Sequence, residues 1–297
     1  LTVNRKERFM NNVYQIVTDR IIAELEKGVI PWRKPWTGIR SGAYSHSTGR
    51  PYSLLNQILL GKPGEYITFS QIKAEGGTIR KGEKASVVVF WKMQKAKETD
   101  PDTGEEHEKL YPILRYFNVF HIDQCEGITP KYKPEELPTA DPIEAAEEVG
   151  ADYIAREGVK LEHIAGDRAC YSPNADRVTM PLREQFTEPA EYYSTLFHEL
   201  GHSTGHASRL NRLTSSANAA FGSDDYGREE LVAELTAACV LNTCGIETPR
   251  SFRNSASYID NWLRAIRGDN RLIISAAGKA EKAVSLIMGD RPQEAYV

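Results

Sequence analysis

The residues with the clearest chemical potential are His198-Glu199-Leu200-Gly201-His202, an H-E-x-x-H sequence set in a run that reads as helix. On a helix, side chains four apart lie one above the other, so His198 and His202 aim two imidazoles at one point. Two such nitrogens suit tetrahedral Zn2+. Glu199, beside them and not a ligand, is a carboxylate that can take a proton from an activated water as general base. Pro189 fits the first turn of such a helix, and Tyr192, Leu196, Phe197 and Leu200 give it apolar positions at helical spacing. The bland reading is a surface helix that happens to carry two of the chain's 7 His.

A catalytic zinc site keeps three protein ligands and one open position. His206 follows His202 too closely for the H-E-x-x-H-x-x-G-x-x-H pattern, and a straight helix would carry it a further turn along the axis. Residues 228–244 form a second helical run, stopped by Gly245, whose Leu231, Leu235 and Ala238 would pack it on the first. Glu230 and Glu234 share a face of that helix. The expected arrangement has Glu230 as ligand, with Glu234 accepting the free N–H of a ligating imidazole. Glu229 and His206 stay open as alternative third ligands, and an acidic helix start in solvent is the competing reading. A nitrogen and oxygen ligand set accepts Mn2+ or Co2+ as well as Zn2+.

Around these helices the chain divides by composition. Prolines at 130, 134, 138 and 142 mark a linker over residues 128–142, between an N-terminal domain of residues 1–127 and a C-terminal domain of residues 143–297. Residues 143–157 read as a helix ended by Gly158, and residues 168–180 as strand, turn and strand. A strand just before an H-E-x-x-H helix could hold an extended substrate by strand addition, so residues 177–180 are either such a cleft edge or a plain edge strand.

Net charge is -4, unevenly spread: residues 1–97 carry 17 Lys and Arg against 7 Asp and Glu, and the remainder 20 against 34. A basic first part suggests that a polyanion meets it. There Trp32, Arg33, Lys34, Trp36, Arg40, Tyr44, Arg50 and Tyr52 interleave rings with cations. Cations that track phosphates, with rings that stack on unpaired bases, are what single-stranded DNA binding requires. The competing reading puts the tryptophans in the domain core. An amphipathic helix precedes this stretch, with Phe9, Val13, Ile16, Val17, Ile21 and Leu25 on one stripe and Gly28 as its stop. After it come a short helix over residues 51–60, β-rich runs at 86–92 and 114–120, and an acidic excursion at 98–109 between them. The pieces predict an α+β protein: a small α+β DNA-binding domain, and a mainly α metal-binding domain with a small sheet.

No apolar run approaches the ~18 residues of a membrane span, and residues 5–8 lack a signal peptide's apolar core, so a cytoplasmic protein with no membrane partner is expected. Cys125, Cys170, Cys239 and Cys244 form no C-x-x-C pair, which excludes a Cys-type zinc site and a disulfide framework from the expectations.

Residues 198–206 (HELGHSTGH), 208–212 (SRLNR) and 229–234 (EELVAE) resemble the ArdC family of plasmid-borne antirestriction proteins. Residues 48–52 (TGRPY), 81–84 (KGEK) and 116–120 (YFNVF) are similar to that family's other domain. The resemblance covers nearly the whole chain. It implies an N-terminal domain that binds single-stranded DNA, shared with some plasmid primases, and a C-terminal zincin-like metallopeptidase domain. It further implies protection of incoming plasmid DNA, as in conjugation, from host restriction, with a host protein as a candidate peptide substrate. Residues 53–56 (SLLN) are bulkier than the family's usual Gly-Ile-Asn, a local departure in a loop. Two rival expectations stand beside this one: a DNA-binding shield whose metal is purely structural, and a general metallopeptidase, which has no need of a basic first domain.

Overall fold

The computed structural model describes residues 5–33, 42–99, 106–132, 141–213, 224–247 and 256–289. Helix α1 (Arg5–Leu25) turns Val13, Val17, Ile21 and Leu25 to the interior at four-residue spacing, and the chain reverses at Gly28, whose φ of 74° lies in the left-handed region. A 3-10 turn at Pro31–Arg33 follows. Strands β1 (Ala43–Ser45) and β2 (Gly64–Thr68) flank helix α2 (Leu54–Leu60), and helix α3 (Phe69–Ala74) leads to the short strand β3 (Thr78–Ile79). The long strands β4 (Ser86–Thr99) and β5 (Glu106–His121) complete a four-stranded sheet of order β1-β2-β5-β4. β3 pairs separately with β6 (Cys125–Glu126).

The β4–β5 hairpin is longer than the sequence suggests. Its register runs unbroken from Ser86 opposite Val119 to Thr99 opposite Glu106, so residues 98–99 and 106–109 of the expected acidic excursion are strand. The outer half of this arm is largely solvated on both faces, which removes the apolar alternation by which strands are read. Cross-strand ion pairs Lys95–Glu108 (2.9 Å) and Lys97–Glu106 (2.8 Å) stand in its place. β4 is an edge strand, yet one point of that edge is closed. Asn56 Nδ2 donates to the Val89 carbonyl (2.9 Å), and the Val89 N–H donates to Asn56 Oδ1 (2.8 Å), so a buried side-chain amide imitates a neighbouring strand.

In the second half, Asp141 caps helix α4 (Pro142–Glu157) through Oδ1, which accepts from the Ile143 N–H (2.8 Å), and Gly158 ends it. Strands β7 (Lys160–His163), β8 (Cys170–Ser172) and β9 (Arg177–Met180) form a sheet of order β7-β9-β8. Residues 177–180 are therefore the central strand, parallel to β7 and antiparallel to β8. Neither expected edge role survives, because both rows of backbone groups on β9 face a neighbour. Helices α5 (Pro189–Ser203), α6 (Asp224–Thr243), α7 (Ala256–Gly268) and α8 (Leu272–Ile287) complete an α+β fold. Among the described residues, no helix is long and apolar enough to cross a membrane.

The largest apolar cluster joins α1, Trp32 and α2 to residues of α4, α5, α6, α7 and α8. Trp32 is 1 % exposed and meets Trp262 edge-on, ring centroids 5.2 Å apart. This corrects the base-stacking role expected of Trp32: a ring enclosed on all sides offers no face to a nucleotide. Replacement of Trp32 by Ala should lower stability by roughly 3–5 kcal/mol, measured by chemical denaturation of the full chain. A variant as stable as the parent would remove Trp32 from the supports of the fold.

Candidate metal centre

Helix α5 starts with Pro189 at its first position and runs through the interior, with Tyr192, Leu196, Phe197 and Leu200 all buried. Its Gly201 makes the site possible. A Cβ there would lie 3.1 Å from Ala233 Cα and 3.3 Å from the Ala233 carbonyl oxygen, so the α5 and α6 backbones meet where a larger residue would hold them apart. That approach brings the first turns of α6 against His198 and His202.

His198 Nε2 and His202 Nε2 lie 3.2 Å apart. Glu230 closes the triangle, with Oε2 at 3.5 Å from His198 Nε2 and Oε1 at 3.3 Å from His202 Nε2. Ligand atoms of the three residues all lie within 4.8 Å of one another, the one such group of His, Cys, Asp or Glu among the described residues. Two imidazoles and a carboxylate, packed this closely and half-buried or deeper, are a donor set that fits a divalent ion. Glu199, 4 % exposed, sits next to His198 on the same helix.

Behind each imidazole stands a second carboxylate. Glu234 Oε2 is 3.8 Å from His198 Nδ1, and Glu229 Oε1 is 3.8 Å from His202 Nδ1. Each of these acids is gripped by an arginine. Arg33 donates from Nε (2.9 Å) and Nη2 (2.6 Å) to Glu234 Oε1. Arg212 donates from Nη2 to Glu229 Oε1 (2.8 Å), and also to the Gly201 carbonyl (3.0 Å) and, from Nη1, to Thr204 Oγ1 (2.8 Å). Arg212 thus ties the end of α5 to the start of α6. Arg209 makes a second tie, donating from Nε to the Ser203 carbonyl (2.8 Å) and pairing with Asp176.

The electrostatics follow. Burial disfavours a charged His202, but hydrogen bonds to Glu229 and Glu230 and the charges of Glu199 and Glu230 outweigh it and push its pKa up to about 10. Burial likewise works against an ionised Glu230, yet hydrogen bonds from His198 and His202 and their charges hold its carboxyl well below the usual carboxylate range. Glu229 is shifted the same way: burial opposes, and hydrogen bonds from His202 and Arg212 prevail.

Of the residues weighed for the metal, His206 turns away, its Nδ1 2.8 Å from Ser208 Oγ, and Glu229 faces the far nitrogen of His202. The residues weighed for DNA are scattered. Trp32, Tyr44 and Tyr52 are buried, Arg33 is spent on Glu234, and Arg50 is exposed, while Lys34, Trp36 and Arg40 lie outside the described residues. Tyr44 packs edge-on against Tyr132, and Tyr52 against Tyr66. The correction has one cause: aromatic and cationic residues alternate in the sequence whether they face a polyanion or an interior carboxylate. Arg212 was visible only as part of the 208–212 segment, with no role attached.

A zincin-type helix pair joined to a basic α+β unit is the class that fold and site define. Residues 147–279 match the profile of a zincin-like metallopeptidase, and residues 11–120 that of the N-terminal domain of anti-restriction factor ArdC. The crystal structure of antirestriction ArdC from plasmid R388 in its metal-free form superposes with a TM-score of 0.69 at 36% identity, covering 93% of this chain and 97% of that one. Its Mn(II)-bound form gives a TM-score of 0.70 at 32% identity over the same shares. Protein y4eC of Sinorhizobium fredii is 33% identical over 296 residues, 95% of this chain and 93% of that protein. The chain belongs to the ArdC family of antirestriction proteins. It is also 33% identical over 288 residues to DNA primase TraC of Escherichia coli, but spans only 19% of that protein's length.

Arg33 and Glu234 are 8% and 5% exposed, so removal of the cation strands a buried charge. The Arg33→Met substitution should cost about 3–5 kcal/mol in urea unfolding, and Arg33→Met combined with Glu234→Leu should recover much of the loss. If the double variant is no more stable than the single one, the pairing does not carry the energy assigned to it.

Proposed function

We propose that this chain is an antirestriction protein that binds single-stranded DNA and carries a metal-dependent peptidase-type centre. His198, His202 and Glu230 hold the ion, and Glu199 is the general base. The observation that carries the reading is the convergence of His198 Nε2, His202 Nε2 and the Glu230 carboxylate, with Glu199 buried beside them. The Mn(II)-bound relative supports a divalent ion in the same role, and the donor set accepts Zn2+ or Co2+ equally well.

When bound, the ion would supply Lewis acidity toward a peptide carbonyl and toward an attacking water. The chain supplies the rest. The Glu199 carboxylate takes the proton from that water and passes it to the departing amine. Glu234 and Glu229 stand 3.8 Å from Nδ1 of His198 and His202, placed to draw the Nδ1 protons and so favour inward-facing Nε2 lone pairs, and Arg33 and Arg212 keep those acids in place. Protection of incoming DNA then follows in one of two ways: from cutting a host protein, or from covering the strand.

Two measurements test this. The imidazoles must be neutral to ligate, and His202 holds its proton up to about pH 10 in the metal-free state, so metal uptake at neutral pH should release that proton. Metal affinity should therefore rise with pH through the neutral range. Calorimetry in buffers of different ionisation heat reads the proton directly, and His202→Ala should abolish uptake. An affinity that does not change with pH would count against His202 as a ligand. The Glu199→Gln variant should keep its metal and lose hydrolysis. If it still protects DNA from a restriction enzyme in vitro, the protein works as a shield and its metal is structural.

A further inference from the structure

A cavity of about 1710 Å³ lies elsewhere, between the edge strand β4 and helix α8. That exceeds the roughly 300–1,000 Å³ of small-molecule sites and suits a length of polymer. Phe90, Trp91, Lys92 and Phe117 line it from the sheet, and Gly278, Lys279 and Lys282 from α8. The pairing register puts Val88 opposite Phe117 and Phe90 opposite Arg115, so Phe90, Phe117, Lys92 and Arg115 share one face. The Phe90 and Phe117 rings contact each other at 5.8 Å, yet Phe117 is 45% exposed and Trp91 56%. Rings of that size left open to water on a rigid sheet are not explained by core packing.

The charge in the cleft is one-sided. Its two acids are already engaged: Asp269 pairs with Arg228 at 2.8 Å, and Glu281 accepts the Leu54 N–H at 3.1 Å. Among the described residues, Lys92, Lys279 and Lys282 have no carboxylate partner. Gly278 lines the cleft from within the unbroken α8, at a position where a Cβ would meet nothing within 4 Å, so packing does not require glycine there and a larger side chain has open space to occupy.

We infer that the β4–α8 cleft is the binding groove for single-stranded DNA, with Phe117 and Phe90 stacking on bases and Lys92, Lys279 and Lys282 contacting phosphates. The inference rests on the DNA-binding reading above and moves it away from the Trp32 stretch. Exposed ring faces favour unpaired bases over duplex, and unpartnered lysines favour a polyanion over a peptide. An extended peptide adding to β4 beside the cleft would find the Val89 N–H and C=O already occupied by Asn56. The groove takes one wall from each half of the chain, so the full chain is needed to form it.

The test is a fluorescence titration of the full chain with labelled oligo-dT at several salt concentrations. A parallel titration uses reduced, carboxymethylated α-lactalbumin as an extended polypeptide. Phe117→Ala should weaken DNA binding roughly 5- to 150-fold. The Lys279→Ala and Lys282→Ala double variant should weaken it too, and flatten the log–log salt slope by about 0.7 for each phosphate left without its lysine. Gly278→Leu should bind more weakly while unfolding at a higher denaturant concentration than the parent, which separates blocking of the groove from loss of fold. If the parent binds oligo-dT and all three variants match it, the groove is elsewhere and the DNA-binding reading stands. If the parent does not bind, both fall. If the polypeptide binds and the variants lose that binding but not oligo-dT, the cleft is a protein groove and the inference is overturned.

Discussion

The centre depends on one steric allowance, the contact between Gly201 and Ala233. A carboxylate has a short reach, and Glu230 can meet imidazoles on another helix only if the two backbones nearly touch. Glycine costs a helix about 1 kcal/mol against alanine, and here that cost is offset by the packing it permits. Residues 204–213, which follow α5, then serve as a clasp. Arg209 and Arg212 satisfy carbonyls that the end of α5 leaves open, and Arg212 carries the connection across to Glu229.

Charge is the second constraint. Two imidazoles and the carboxylates of Glu199, Glu229, Glu230 and Glu234 share a mostly buried volume, which would be unstable if the acids were left to repel one another. The arginines resolve this from opposite sides. Arg212 comes from the clasp, whereas Arg33 comes from the N-terminal half and reaches α6 across the shared core. The electrostatic support of the C-terminal site is thus partly built by the other half of the chain.

How much of this the sequence disclosed follows from how local each signal is. His198, Glu199 and His202 are set by the period of one helix, so their mutual placement needs nothing else. That Glu230 rather than Glu229 turns toward them depends on the rotation of α6 against α5, which spacing alone leaves open. Arg33 and Trp32 mislead because a cation beside a ring looks the same whether it meets a phosphate or an interior carboxylate. Strand β7 is hidden because Lys160-Leu161-Glu162-His163 is mostly polar, and its parallel partner β9 comes more than a dozen residues later. The aromatic face of β4 and β5 is legible as strand, but its exposure is not, since that depends on α8 standing off from the sheet.

The core that runs through both halves has a consequence for inheritance. α1, Trp32 and α2 bury their apolar surface against α7, α8 and their neighbours, and Glu234 takes its cation from Arg33. A recombination junction in the proline-rich stretch would leave two pieces, each with a bared apolar face, and one of them with an unneutralised acid beside its histidines. The match to TraC covers 91% of this chain as one piece within a far longer protein. The unit that keeps its core and its site intact is therefore the joined pair, and the junction that the sequence makes look like a linker is a poor place to cut.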